Sequence, residues 1–498
     1  MLNEVADTTE AHLGRTDRFF IGGHWVPPSS DASIDVIVPA TEEIYQRFAA
    51  AQQADVERAV AAARKAFDEG PWPAMSHAER AVYLRAIGKH LNARAEDIAR
   101  VMPNEMGILH SDALNFGRAM GGVFDYYAGL AETFPFEERH HPAAGGDIGL
   151  LVREPVGVVA AIVAWNGAIF QLAYKLAPAL LAGCTVVAKA PPEEPATAHI
   201  LAQVVEQAGL PPGVFNVITA DREVSELLVR HGGVDKVAFT GSSAAGRRVA
   251  SICGERMARC TLELGGKSAA VILDDFDIGI AANSISGPAV WLSGQVCSSL
   301  TRIIVPRRRH DQFVDALSAV FGKFKVGDPF DPTVRMGPIA MRRQRDRIEG
   351  IIARGKASGA TLATGGGRPA HLDRGFFLEP TVFGHVDNHS VLAQEEIFGP
   401  VLSVIPADSE EQAIAIANDT VYGLNNSVFT NDVERAYRVA RRLRSGTVGH
   451  NVFRTDFSIA FGGFKQSGMG REGGIEGLMS YLESKTVVLD GQPAHLKS

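Results

Sequence analysis

At about 150 residues per domain, a chain of 498 residues is too long for one compact core, so two large domains or roughly three are expected. An apolar fraction of 46% and a charged fraction of 21% belong to a packed globular protein and exclude a disordered or fibrous chain. A net charge of -8 with dispersed Lys and Arg gives no basic field for polyanions, which argues against a nucleic-acid partner; the run Arg307-Arg308-Arg309 reads as a solvated turn. The four cysteines, Cys184, Cys253, Cys260 and Cys297, lack the spacing of a zinc knuckle or a dithiol centre. No metal is therefore expected, and a reducing compartment, the cytoplasm, is the economical location. The segment Met1 to Asp7 lacks the apolar core of a secretory signal. The longest apolar stretches, Val156 to Ala164 and Leu176 to Ala188, are broken well short of a membrane span, so no membrane partner is expected.

In chain order, a hairpin-like stretch around Trp25 leads into Ala-rich, charge-laced helices over Asp55 to Phe67 and His77 to Arg100. From Gly157 the texture changes to short Val- and Ile-rich runs alternating with helical segments. Strands are expected at Val156–Val163, Thr185–Lys189, Phe215–Ile218 and Lys236–Thr240. Helices are expected at Phe170–Ala182, Pro195–Ala208, Val224–Arg230 and Ala244–Cys253. Four parallel strands with crossovers make a doubly wound, Rossmann-like sheet. A second α/β cycle follows the turn Leu264-Gly265-Gly266, with Ser268–Leu273, Thr301–Val305 and Val401–Ile405 as strands and Gln312–Phe324 and Arg342–Ser358 as helices. The expected fold class is thus α/β, two such domains with a cleft between them.

Several short motifs carry chemistry, each with a plainer reading beside it. Gly468, Gly470 and Gly473 fit G-x-G-x-x-G, yet no Val/Ile strand precedes them, so they read as a flexible turn. Phe239-Thr240-Gly241-Ser242-Ser243 is the better phosphate site, because a strand ends there and a helix begins with residues that can cap it. Cys297 lies among Gly and Ser residues that permit close approach, although an isolated cysteine is more often a small buried hydrophobe. Glu263, at the end of an apolar strand, is either a structural ion-pair member or a desolvated base. Asn166 closes the strand Val156 to Ala164, where an amide can serve an oxyanion or merely its own turn.

Together, Leu262-Glu263-Leu264-Gly265-Gly266-Lys267-Ser268, Gly294-Gln295-Val296-Cys297, Glu395-Glu396-Ile397-Phe398-Gly399-Pro400 and the segment Phe461 to Glu472 resemble the aldehyde dehydrogenase superfamily. The resemblance runs from about Phe20 to Val488, and the separation of 34 between Glu263 and Cys297 follows the family pattern. It implies a hydrolytic, non-acylating enzyme in which Cys297 attacks an aldehyde, Asn166 and the Cys297 N–H hold the oxyanion, and Glu263 activates water. For the cofactor it implies Trp165, Gly241 and Ser242 near the pyrophosphate, Lys189 at the adenosine ribose, Glu396 with Phe398 at the nicotinamide ribose, and Gly265 close by. Lys175 and Glu472 occupy positions that in relatives line a proton path. The implied architecture is an NAD(P)-binding domain (1–131 and 155–265), a catalytic domain (266–468), and an oligomerisation arm with its C-terminal strand (132–154 and 469–498). A homodimer or homotetramer is implied.

Departures from the pattern are informative. Ala164 stands where Pro usually precedes Trp165, and Gly167-Ala168 replace the usual aromatic-Pro pair after Asn166. A lost ring widens the pocket, so a bulky or branched apolar aldehyde is expected, lined by Gly167, Phe170, Tyr174, Trp291, Phe453 and Phe457. Pro192 takes the place of the Glu that often reads the ribose, with Glu193 one residue later; NAD is favoured, and NADP stays open. Two other activities are a CoA-acylating semialdehyde dehydrogenase, disfavoured by Glu263, and a catalytically silent relative, disfavoured by Cys297, Glu263 and Asn166 together. An unrelated cysteine hydrolase would need a His beside Cys297, which no motif marks.

Overall fold

Short runs of Val, Ile and Ala bounded by Gly or Pro become buried strands, and the Ala-rich stretches between them become the covering helices. The computed structural model describes residues 13–496; Met1 to Asp7, and the last residues of the segment expected as the C-terminal strand, lie outside the described residues. A hairpin, β1 (Phe19–Ile21) and β2 (His24–Val26), and a ribbon, β3 (Ser33–Ile37) and β4 (Ile44–Ala49), precede the helices Gln53–Asp68, His77–Ala93, Ala95–Met106 and His110–Thr133. The helix expected over His77 to Arg100 is divided at Arg94, whose backbone leaves the helical region (φ -101°, ψ 13°) while its guanidinium binds Asp97 and Gln203.

Next come β5 (Glu137–His140), β6 (Ile148–Pro155), β7 (Val158–Ile162), β8 (Thr185–Ala190), β9 (Phe215–Thr219), β10 (Lys236–Thr240) and β11 (Arg259–Glu263). The second cycle supplies β12 (Ser268–Ile272), β13 (Leu300–Pro306), β14 (Thr361–Thr364), β15 (Thr381–Gly384), β16 (Val401–Ala407), β17 (Asn425–Phe429) and β18 (Thr447–His450). The last strands are β19 (Gly468–Met469) and β20 (Leu482–Leu489).

The first sheet runs β19-β11-β10-β7-β8-β9-β1-β2. Its five central strands are parallel, one more than the alternation implied, because β11 begins with the exposed Arg259 and is apolar only toward its end. The glycine segment read as a flexible turn instead contributes β19, which pairs antiparallel with the end of β11 through Gly468 and Glu263. The second sheet runs β14-β15-β16-β13-β12-β17-β18 and is parallel except for β14. A third sheet, β20-β6-β5, is antiparallel from Leu482↔Pro155 to Leu489↔Ile148.

Strands β7 and β8 are wholly buried, and so is nearly all of the helix Ala168–Ala182 that packs on them, so this layer is apolar on every side. Strand order reverses between β7 and β10, and a crevice opens beyond the carboxyl ends of strands at such a point. Trp165-Asn166, Thr240-Gly241 and Glu263 stand at the ends of β7, β10 and β11 there. In the second sheet, buried Arg302 on β13 donates to the carbonyls of Lys267 (2.9 Å), Ile416 (2.8 Å) and Ala417 (2.7 Å) and to Asn388 Oδ1 (3.1 Å). The basic run Arg307 to Arg309 is exposed, as expected, and anchored to Asp408 and Asp274. Arg302→Met leaves several buried carbonyls unpaired and is expected to lower unfolding stability by about 3 kcal/mol. Urea denaturation checks this; an unchanged midpoint contradicts it.

Candidate active site

The helix Ile278–Val290 breaks at Trp291, and the next turn carries Leu292 (φ 51°) and Ser293 (φ 55°) in the left-handed region. Non-glycine residues there are strained and persist only where their surroundings hold them. The hold is visible. Ser293 Oγ donates to the Gly337 carbonyl (2.9 Å), Gln295 Nε2 donates to the Leu292 carbonyl (2.9 Å), and Gln295 Oε1 accepts the Ala340 N–H (3.0 Å). The strained turn delivers Val296, Cys297 and Ser298 to the wall of a cavity of about 370 Å³.

Two carboxylates face this thiol from different sheets. Glu263 ends β11, is buried, and has no hydrogen-bond partner on either oxygen among the described residues. Burial, reinforced by the charge of Glu472, holds its carboxyl well above the usual range. Glu396 accepts the Gly266 N–H (3.0 Å), and burial pushes its carboxyl up to about 7. Its segment is clamped by the helix Arg342–Ala357. Gln344 Nε2 donates to the carbonyls of Ile397 (3.0 Å) and Phe398 (2.9 Å), and Arg347 donates to those of Glu396 (2.7 Å) and Ile397 (2.8 Å). Phe398 itself has a strained φ of 57° and meets Trp165 edge to face at 5.2 Å. Burial first, then the negative charges of Glu396 and Glu263, push the Cys297 thiol up to about 12.

Asn166 is fixed at both ends of its amide. Its Oδ1 accepts from Gln171 Nε2 (2.9 Å) and its Nδ2 donates to the Gln295 carbonyl (3.0 Å), which leaves one amide hydrogen uncommitted among the described residues. Lys175, fully buried, donates to Glu472 (2.6 Å) and Thr240 Oγ1 (2.6 Å), linking the acid behind Glu263 to the end of β10. Ser242 caps the helix Ser243–Glu255 by accepting the Ala245 N–H (3.2 Å).

The cavity lining brings together Cys297, Glu263, Asn166, Trp165, Gly241, Ser242, Gly265, Glu396, Phe398, Glu472, Phe170, Trp291, Phe453 and Phe457. Four residues expected in the site are set back from that lining. Gly167 is buried beneath the Asn166 turn, and Tyr174 packs one ring behind, on Phe170 (4.9 Å) and Phe457 (4.5 Å). Lys175 reaches the cavity through Glu472, and Lys189 points its amine at the Val163 carbonyl (3.4 Å).

The chain matches the model described as the aldehyde dehydrogenase family over residues 25–487. It belongs to that family. Among curated relatives it is 42% identical to geranial dehydrogenase of Castellaniella defragrans, over 95% of this chain and 98% of the relative. It is 38% identical to the chloroplastic betaine aldehyde dehydrogenase of Beta vulgaris, covering 95% of this chain and 96% of that one. Among solved structures it resembles a Mycobacterium tuberculosis aldehyde dehydrogenase complexed with NAD+ (TM-score 0.93, 45% identity, 95% and 98% of the two chains). A second is a mutant aldehyde dehydrogenase C of Pseudomonas syringae complexed with NAD+ and octanal (TM-score 0.92, 39% identity, 96% and 98%).

Within this family member, sequence reasoning missed Phe116, which stacks on Trp291 (5.5 Å, 5°), and Phe461, which stacks on Phe457 (4.2 Å, 19°). Phe116 comes from a helix far upstream and carried no motif. It also missed Gln171, Gln344 and Arg347; a buried Gln on an otherwise apolar helix was the one available signal. In the protein without cofactor, iodoacetamide labelling of Cys297, read by peptide mass, is expected to accelerate about tenfold per pH unit up to about pH 9. A plateau near neutrality contradicts the raised proton affinity of this thiol.

Proposed function

We propose that the protein oxidises a bulky, apolar aldehyde to its carboxylate with NAD and water. One observation carries this reading: a thiol, a buried carboxylate unpartnered among the described residues and a fixed amide line one cavity that also presents a cluster of Phe and Trp side chains. Cys297 Sγ bonds to the carbonyl carbon, and the oxygen that gains charge is met by the free Asn166 amide hydrogen and the Cys297 backbone N–H. Glu263 suits the removal of protons here, because burial makes it a stronger base than an ordinary carboxylate. A bound nicotinamide ring supplies the acceptor for the hydride that leaves the adduct carbon. Glu263 then deprotonates the water that cleaves the acyl–sulfur bond and returns Cys297 Sγ, with Glu472 and Lys175 positioned to pass the proton outward.

The residues present fit such a cofactor. The capped N-terminus of the helix Ser243–Glu255, beside Ser242 and Gly241, suits a pyrophosphate. Trp165 and Phe398 would flank the nicotinamide side and Glu396 would hold its ribose, with Gly265, whose missing side chain lets the Glu396 carboxylate pack directly against its backbone, close by. Lys189 and Glu193 would serve the adenosine ribose. Glu193 is already paired with Arg343 and leaves a carboxylate that disfavours a 2′-phosphate, so NAD is preferred over NADP. The NAD+ in the solved relatives supports the same choice.

For the substrate, Phe116, Phe170, Trp291, Phe453, Phe457 and Phe461 offer apolar surface and no ion pair, and relatives named for geranial or bound to octanal support that class. We divide the chain into the cofactor part (1–131, 155–265), the catalytic part (266–468) and the arm formed by β5, β6 and β20. The eight-residue outer edge of β20 is unpaired among the described residues, which supports self-association as a homodimer or homotetramer. All four cysteines are free thiols, in keeping with the cytoplasm, and among the described residues no helix is long and apolar enough to cross a membrane. Steady-state kinetics with NAD are expected to give a bulky branched aldehyde a kcat/KM at least about 100-fold above acetaldehyde. A preference for acetaldehyde or for betaine aldehyde contradicts the assignment.

A further inference from the structure

Two residues flanking Asn166 carry backbone N–H groups at positions where the family pattern has proline and therefore none. Both groups lie at the carboxyl end of β7, close to the cavity, where an unpaired donor is costly. Each is taken by a buried polar side chain. Gln171 Oε1 accepts the Ala164 N–H at 2.7 Å. Glu194 Oε2 accepts two, the Gly167 N–H at 2.8 Å and the Ala168 N–H at 2.9 Å. Gly167 can present its N–H this way because its φ of 122° is open to glycine and strained for other residues.

The two acceptors bear directly on the amide between them. Gln171 is bonded through its other end, Nε2, to Asn166 Oδ1. Which end of the Asn166 amide is the oxygen and which the NH2 follows from that bond, since an amide flipped end for end would set two NH2 groups against each other. Glu194 fixes the turn immediately after Asn166 and the first residue of the helix that carries Gln171. Glu194 is fully buried, also accepts from Thr197 Oγ1 (3.5 Å), and lies near Glu105, which accepts the Ala196 N–H (3.0 Å) and has no hydrogen-bond partner on its second oxygen among the described residues. Burial pushes the Glu194 carboxyl up to about 8, and the two N–H groups oppose that rise. No cation is bonded to this acid among the described residues, and its shortest hydrogen bonds are the two to the Gly167 and Ala168 N–H groups.

We propose that Gln171 and Glu194 are positioning residues that aim the Asn166 amide at the reacting oxygen, and that their side-chain hydrogen bonds supply the order that two prolines give relatives. This rests on Asn166 being the oxyanion donor, as proposed above. The test measures kcat and KM for NAD-dependent aldehyde oxidation in single and double variants. Gln171→Glu keeps the acceptor for the Ala164 N–H and removes the donor to Asn166; it is expected to lower kcat about tenfold or more while leaving the KM for NAD unchanged. Glu194→Leu should behave likewise, and Glu194→Gln, which retains an acceptor oxygen, should recover most of the loss.

Asn166→Ala alone should cost about 100-fold or more in kcat. Adding Gln171→Glu to it should cost nothing further, because the second residue acts only through the first. Losses that simply multiply in the double variant, or a Gln171→Glu enzyme with wild-type kcat, overturn the proposal while leaving the oxyanion assignment intact. Wild-type kcat in Asn166→Ala overturns both. If Glu194→Leu fails to fold, the near-isosteric Gln171→Glu and its double variant still decide.

Discussion

The two sheets meet through a turn in which the absence of side chains is the essential feature. At Gly265 a Cβ would stand 2.2 Å from Glu396 Oε2, and at Gly266 one would stand 2.3 Å from the Cys297 carbonyl oxygen. Neither space admits even a methyl group. The connection from β11 to β12 therefore passes between the thiol loop and the Glu396 segment, and Glu263 sits two residues before it. Three functional groups, from β11, from the loop before β13 and from the segment before β16, converge because this turn is thin. Gly266 also donates its N–H to Glu396, so the same contact that brings the segments together orients one of them.

Convergence at this density has an electrostatic consequence. Glu263 and Glu472 are buried and Glu396 is half-buried beside the same cavity, with Lys175 as the cation bonded to Glu472. Desolvation raises the proton affinity of Glu263, Glu396 and Cys297; nearby negative charge adds to it at Glu263 and Cys297, while Arg347 and Lys267 oppose it at Glu396. Lys267, beside the same turn, shows the opposite response: its amine has no hydrogen-bond partner among the described residues, and burial pushes it down to about 7. Such a cluster weakens folding rather than supporting it, since buried charges and unpaired polar groups cost more than an apolar core of the same shape. Its presence at the mouth of the β7/β10 crevice is what separates a reactive centre from a packing layer.

Much of this was legible in the chain. The alternation of Val/Ile runs with helices gave the two α/β cycles, Glu263, Cys297 and Asn166 stand on segments whose local composition marked them, and Glu396 stands on one marked by the family resemblance. What was not legible depends on partners distant in sequence. β11 was harder to count as a parallel strand because its first residues face solvent, and Gly468-Met469 forms an edge strand only because the end of β11 offers it hydrogen bonds. Phe116 reaches the cavity by stacking on Trp291, a contact spanning a long stretch of chain, whereas Phe461 stacks on its near neighbour Phe457 in a segment with no regular secondary structure to mark which way its rings face. Ala164, Gly167 and Ala168 could be seen to depart from the family pattern, but the Gln171 and Glu194 side chains that answer those departures could be seen only in three dimensions.

The division of labour between sulfur and carboxylate is tested most directly by rapid mixing of Glu263→Gln with aldehyde and NAD, following reduced nicotinamide by absorbance. If Cys297 captures the substrate and Glu263 serves mainly to activate water, this variant gives a first-turnover burst close to one equivalent per active site, followed by a steady state about 100-fold or more slower than wild type. A variant that loses the burst along with turnover, or that turns over at the wild-type rate, contradicts it.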